Sequence, residues 1–212
     1  MAIQLAGNTV ANIQEVDATF KAARISIRPA EVINWNSQGG VSGLLTGVAA
    51  AGPVWSMRNT GSNLLMVRRI TVGFITTTAF TTAQGLYYNL IKANGFTASD
   101  SGGTALYTAG QNKHRASFTN ITSAPDIRIS TTAALTAGTR TLESQPIGSV
   151  CGSSTAVGTS MPATNIFSHD AGDYPIILAQ NEGIIITNGI AMGAAGVINL
   201  MVGVEYAEVT AY

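Results

Sequence analysis

Charge is scarce in this sequence. Asp, Glu, Lys and Arg make up 10% of its 212 residues, against about a quarter in an ordinary soluble domain. Eleven basic residues balance eleven acidic ones, so the formal net charge is zero. A monomer with few charges and no net charge is poorly protected against association. Much of the surface is therefore expected to be covered by other subunits. The same balance argues against nucleic acid, because phosphate binders carry basic stripes. The only adjacent basic pair is Arg68-Arg69, read as one outward-facing strand residue beside one at a sheet rim or in an ion pair.

Cysteine is nearly missing as well. The lone Cys151 excludes an internal disulfide, and no His or Lys lies near it to activate a nucleophile. It is expected to be a small packed thiol. Long apolar runs are absent. The nearest approach to a membrane span, Gly189–Val204, is broken by Gly193, Gly196, Asn199 and Gly203, whereas a spanning helix needs about 20 mostly apolar residues. Met1–Val16 carries no Lys or Arg, unlike a secretory signal. The expectation is a product made in the cytoplasm and not bound to membrane.

Signatures of chemistry are also few. The nucleophile elbow, the phosphate-binding glycine loops and the zinc motif H-E-x-x-H do not occur. His114 lies in a polar Q-N-K-H-R stretch. His169 with Asp170 and Asp173 is the one short cluster of metal-ligand types, but a metal site needs three or four converging ligands. The cluster is read as a loop that caps a strand. Ala98–Gly103 has one acid and lacks the distal Glu of a calcium loop, so it is read as a turn. Asn120-Ile121-Thr122 matches a glycosylation sequon, which carries no meaning for a product that stays in the cytoplasm. Trp35 and Trp55 are read as core or interface residues. No catalytic, cofactor-binding or metal residue is assigned, no cofactor is expected, and the protein is expected not to be an enzyme.

What the sequence does hold is the punctuation of a β protein. Its 23 glycines, with many Thr, Ser, Ala and Asn, recur at the spacing of sandwich or barrel turns. Strands are expected at Arg24–Arg28, Gly43–Val48, Pro53–Arg58, Leu64–Phe74, Gly85–Ala93, Asp126–Ser130, Tyr174–Ala179, Gly183–Asn188 and Val197–Glu208. In the last, Ile198, Leu200, Val202, Val204 and Tyr206 alternate with Asn199, Met201, Gly203 and Glu205, the pattern of a half-buried strand. Gln180-Asn181-Glu182-Gly183 is read as the turn between the two strands before it. The segments 97–122 and 131–173 read as long connections, the regions where partner contacts concentrate. The organisation expected is an arm over residues 1–23 and one all-β antiparallel sandwich over 24–212.

Two stretches carry a resemblance. One is R-R-I-T-V-G-F-I-T-T-T-A-F-T-T-A-Q-G-L-Y-Y-N-L-I-K-A-N-G-F-T-A-S-D-S-G-G-T-A-L from Arg68 to Leu106. The other is Y-P-I-I-L-A-Q-N-E-G-I-I-I-T-N with V-I-N-L-M-V-G-V-E-Y-A-E-V, between Tyr174 and Val209. With D-I-R-I-S-T-T-A-A-L-T-A-G-T-R-T-L between them, they resemble tailed-bacteriophage virion structural proteins of the capsid cement or decoration type. The resemblance runs from about Val54 to the end. It implies a jelly-roll-like sandwich, a place in the virion capsid, and binding to the shell of major capsid protein. A homotrimer suits such a place. The alternative from another class is a tail fibre, spike or adaptor protein that binds a receptor or glycan. That reading asks for exposed aromatic clusters in the loops, where only Tyr107, Phe118 and Phe167 are scattered.

Overall fold

The computed structural model describes residues 35–107, 112–118, 120–122, 124–169 and 174–210. The expected arm Met1–Ala23, the strand Arg24–Arg28 and the boundary between them lie outside these residues. The described residues contain strands and no helix. In chain order the strands are β1 (Trp35–Val41), β2 (Pro53–Asn59), β3 (Leu64–Thr78), β4 (Gln84–Asn94), β5 (Thr104–Ala105), β6 (Pro125–Ile129), β7 (Thr141–Leu142), β8 (Gly148–Ser154), β9 (Ser160–Ser168), β10 (Ile176–Leu178), β11 (Gly183–Asn188) and β12 (Val197–Val209).

They form two antiparallel sheets packed face to face, the all-β sandwich expected. The first sheet has the order β1-β12-β3. Its far edge is shared by β10, paired with Leu65–Val67, and β9, paired with the stretch from Arg69 to Ile75. The second has the order β5-β6-β2-β11-β4, and β7 and β8 share the outer edge of β4. Alternation decides which side of each strand is buried. Ile198, Leu200, Val202, Val204 and Tyr206 of β12 face inward, as do Ile70, Val72 and Phe74 of β3. Opposite them lie Trp55 and Met57 of β2, Leu86, Tyr88 and Leu90 of β4, Ile127 and Ile129 of β6, and Ile184 and Ile186 of β11. The rings of Phe74 and Tyr88 meet across the sandwich, 6.4 Å apart and tilted by 55°, a geometry that adds to simple area burial.

Two sequence expectations need correction and two points are added. Gly43–Val48 is not a strand; only Leu45 bridges to Ile198, and the segment is otherwise loop. The segments 97–122 and 131–173 are not mere connections, since they hold β5, β7, β8 and β9. The turn at Gln180–Gly183 exists, with Asn181 at φ 62°, but it does not close a hairpin. It hands the chain from β10 in the first sheet to β11 in the second. Finally, β1 is a full strand in a stretch assigned no structure from sequence.

The pair Arg68-Arg69 marks a β-bulge. Glu205 pairs with Arg69 and Tyr206 with Val67, which leaves Arg68 without a partner residue across the ladder. An extra residue of this kind puts two successive side chains outside without disturbing the inward set beyond it. Arg69 forms an ion pair with Glu205, and the Arg68 guanidinium lies 5.7 Å from the centre of the Trp35 ring.

Two buried tyrosines resist ionisation in this core. Burial pushes the Tyr88 hydroxyl well above its ordinary value, and burial with a smaller contribution from Tyr107 does the same to Tyr206. A folded-state pKa raised above the unfolded one contributes stability that is complete below about pH 10 and is lost as pH climbs beyond it. The Tyr88 hydroxyl has no hydrogen-bond partner. Tyr88→Phe is therefore expected to gain about 1 kcal/mol at neutral pH and to move the alkaline unfolding midpoint upward. Urea titrations at neutral and alkaline pH check both; an unchanged alkaline midpoint would show that other groups control it.

Candidate functional site

The strands define two ends of the sandwich. One end holds the β2–β3 turn (60–63), the β10–β11 turn and the start of β1. The other holds the β1–β2 loop (42–52) and the β3–β4 (79–83), β8–β9 (155–159) and β11–β12 (189–196) connections. Residues 36–57, 70–91, 129–139, 144–168 and 183–204 contain no Asp, Glu, Lys or Arg. Those are the segments that run through the second end. Among the described residues, every charged side chain except the Asp100–Arg140 pair lies at the middle of the sheets or nearer the β2–β3 turn. That pair is buried beneath loops on the second sheet. Among the described residues, one end is thus charge-free.

Apolar exposure gathers at the same end. Val157 at the β8–β9 turn is 65% exposed, Val41 58% and Leu44 55%. Ile75, Tyr87 and Ile190 are also exposed there, whereas Ile147 and Tyr174 are exposed elsewhere. Isolated surface apolar residues need no explanation. Val157, Leu44 and Ile190 protrude from three connections of an end whose described residues are uncharged, while Val41 and Ile75 lie on the outer face of the first sheet and Tyr87 on that of the second. Apolar protrusions on uncharged ground mark a protein contact.

The loops of this end are held by neutral groups. Buried Asn188 donates from Nδ2 to the Val48 carbonyl at 3.0 Å and also to the Ile190 carbonyl, tying two loops together. Asn199 donates to the carbonyls of Ser42 at 3.1 Å and Gly43 at 3.0 Å. Gln84 Oε1 accepts from the Gly193 amide at 3.1 Å, and Thr46 Oγ1 donates to the Ala194 carbonyl at 2.8 Å. The Thr76 and Ser154 hydroxyls meet at 2.7 Å between the sheets. Loops fixed in this way lose little further entropy on docking.

Among the described residues, those singled out for chemistry do not converge. His114 is exposed, and its Nε2 lies 2.6 Å from Ser37 Oγ. The His169 amide donates to the Arg68 carbonyl at 2.8 Å, and its Nδ1 is buried without a partner. Asp170 and Asp173 lie outside the described residues, among which no group of three or more metal-ligand side chains is found. Asp100, the one acid of Ala98–Gly103, accepts from the Gly138 amide at 2.8 Å and pairs with Arg140. Burial lowers the Arg140 guanidinium to about 10, so it stays a cation at neutral pH.

Cys151 overturns its expected packing, for it is exposed. It stands on β8 opposite Tyr87, out of phase with Gly148, Val150, Gly152 and Ser154, which turn toward the interior. Of the cavities open to solvent among the described residues, two have mostly apolar walls. One of about 190 Å³ is a trench over the first sheet, where Gly39 and Gly203 lack side chains and the Arg69–Glu205 pair forms a wall. The other, about 440 Å³, runs along Phe167, Tyr174, Ile176 and Ile177, with the Lys92 ammonium in its lining.

Comparison with protein-family models, with curated proteins and with solved structures gives no match. Sequence reasoning found the charge deficit but missed its location. The signal was present as charge-free windows, which become a surface only once the strand ends are known.

Proposed function

We propose that this chain is a structural, non-enzymatic subunit of a tailed-bacteriophage virion, a cement or decoration protein that binds copies of itself and the shell of major capsid protein. The observation that carries the reading is the charge-free end of the described residues, from whose connections Leu44, Val157 and Ile190 protrude into solvent. Such a surface is costly in a free monomer and useful in an assembly, since contact centres are depleted in charge and repeated copies multiply weak contacts.

The strand order supports the jelly-roll form of the sandwich. Taking β9 and β8 as the shared-edge strands, the sheets read β1-β12-β3-β9 and β2-β11-β4-β8. Two interlocked four-stranded sheets of this order suit an eight-stranded double Greek key, an architecture used by capsid domains. β5, β6, β7 and β10 are then additions at the edges. Fold alone does not assign function, so the proposal rests on the surface and on the resemblance of the two stretches quoted above.

Purified chain mixed with shells of its cognate major capsid protein is expected to co-sediment with them and to raise their resistance to heat. Shells that neither bind it nor gain resistance would overturn the reading. In that case, specific retention on a glycan array would favour a receptor-binding role.

A further inference from the structure

We infer that the charge-free end is where copies of this chain meet one another, end against like end, in a closed oligomer. The inference rests on the assembly reading above and names the partner of that same surface.

The occupant follows from charge. Docking onto a charged surface strips water from ions and offers nothing in return, because the described residues of this end hold no charge to pair with them. A nucleic acid or an acidic or basic peptide is therefore a poor match. Within the chain, the opposite end is equally unsuitable. Arg68, Arg69, Glu143, Glu182 and Glu205 lie there or on its flank, so a head-to-tail stack would bury them against apolar loops. The surface that matches is another copy of the same end. Val157, Leu44 and Ile190 supply apolar protrusions from three different connections. Between them lie the Ala- and Gly-rich stretches 47–52 and 191–196, which offer shallow ground for such side chains.

Symmetry follows from the same matching. A patch that fits only itself closes at a two-fold dimer, whereas a patch that fits a different region gives a ring when the rotation closes and an open filament when it does not. The neutral ties from Asn188, Asn199 and Gln84 fix the loops before contact, so the interface needs little ordering when copies meet.

Sedimentation velocity of the full chain tests this, with Leu44→Glu and Val157→Lys at the charge-free end and Ile147→Glu elsewhere as control. All three positions are exposed, and equal thermal melting confirms that each variant folds. The wild type and the control are expected to sediment as one closed oligomer. The two end variants should weaken association at least tenfold. A second measurement uses Cys151→Ser as background: Leu44→Cys should cross-link between copies with a short bis-maleimide, and Ser144→Cys should not. A wild type that stays monomeric, end variants that associate normally, or filaments of unlimited length would each overturn the inference. Shell co-sedimentation separates the two proposals. A monomer that still decorates shells defeats this inference and leaves the shell-binding role standing, and an oligomer that ignores shells defeats the shell-binding role alone.

Discussion

Replacing Asp100 by Ala is expected to destabilise the protein by about 3–5 kcal/mol, the usual result of leaving a buried charge without its partner. The Asp100 side chain is completely buried, and that of Arg140 is 4% exposed. The guanidinium also lies 5.1 Å from the centre of the Phe96 ring. Phe96 in turn packs with Ala93 and Ile185 in a small second core, with Leu142 at its margin. This core covers the outer side of the second sheet, which is why all six residues of β11 are buried. Removing the carboxylate strands the cation and frees the Gly138 amide. Arg140 is then expected to turn out to water, taking the covering loops 95–103 and 130–140 with it. Urea unfolding measures the loss, and hydrogen exchange should show weaker protection in β11. Because the fault is the stranded cation, Asp100→Ala with Arg140→Leu should recover a large part of the stability. A double variant as unstable as the sum of both single changes would mean that the ion pair is not the cause.

The elements legible from sequence were those whose inward residues are large. β12, β3, β4 and β6 alternate because one face packs on Leu, Ile, Val, Phe or Tyr. β11 reads as an unbroken apolar run because both of its faces are covered. The strands that were missed are quiet for physical reasons. On β1 the inward positions are Asn36, Gln38 and Gly40; a Cβ at Gly40 would stand 2.5 Å from the Leu106 side chain that packs over it. On β8 the inward positions include Gly148 and Gly152. A Cβ on Gly152 would come within 2.7 Å of the Phe74 ring, and one on Gly148 within 2.1 Å of the Ile166 carbonyl oxygen. There the volume is supplied by neighbours, so the strand has no hydrophobic period to read. β9 has Met161 and Ile166 facing the core, but its register shifts twice against β3, and Pro162 sits in the second irregular stretch. Bulges and proline are common at sheet edges. The phase of β8 also explains Cys151: with glycine inward, the thiol falls on the outer side.

Trp55→Ala is expected to be as damaging, at about 3–5 kcal/mol, and it separates stability from association. Trp55 is the largest fully buried side chain, placed on β2 between Ile129 of β6 and Ile186 of β11. Its Nε1 has no hydrogen-bond partner, so its contribution comes from filling volume. Trp55→Phe keeps much of that volume and removes the unpaired N–H, and should cost about 1 kcal/mol or less. The neighbouring backbone links the residue to the charge-free end. The Val54 carbonyl accepts from the Ser130 amide at 2.9 Å, and the Pro53 carbonyl from the Leu135 amide at 2.7 Å. A void at Trp55 therefore loosens the supports of that end. Trp55→Ala should lower both the urea midpoint and the strength of self-association, while Leu44→Glu should lower association and leave the midpoint unchanged. With Trp35→Phe as background, Trp55 is the sole indole, and its emission should shift to the red only on global unfolding. Loss of association in Trp55→Ala without any fall in the urea midpoint would break this order of cause, which runs from core volume to loop support to contact between copies.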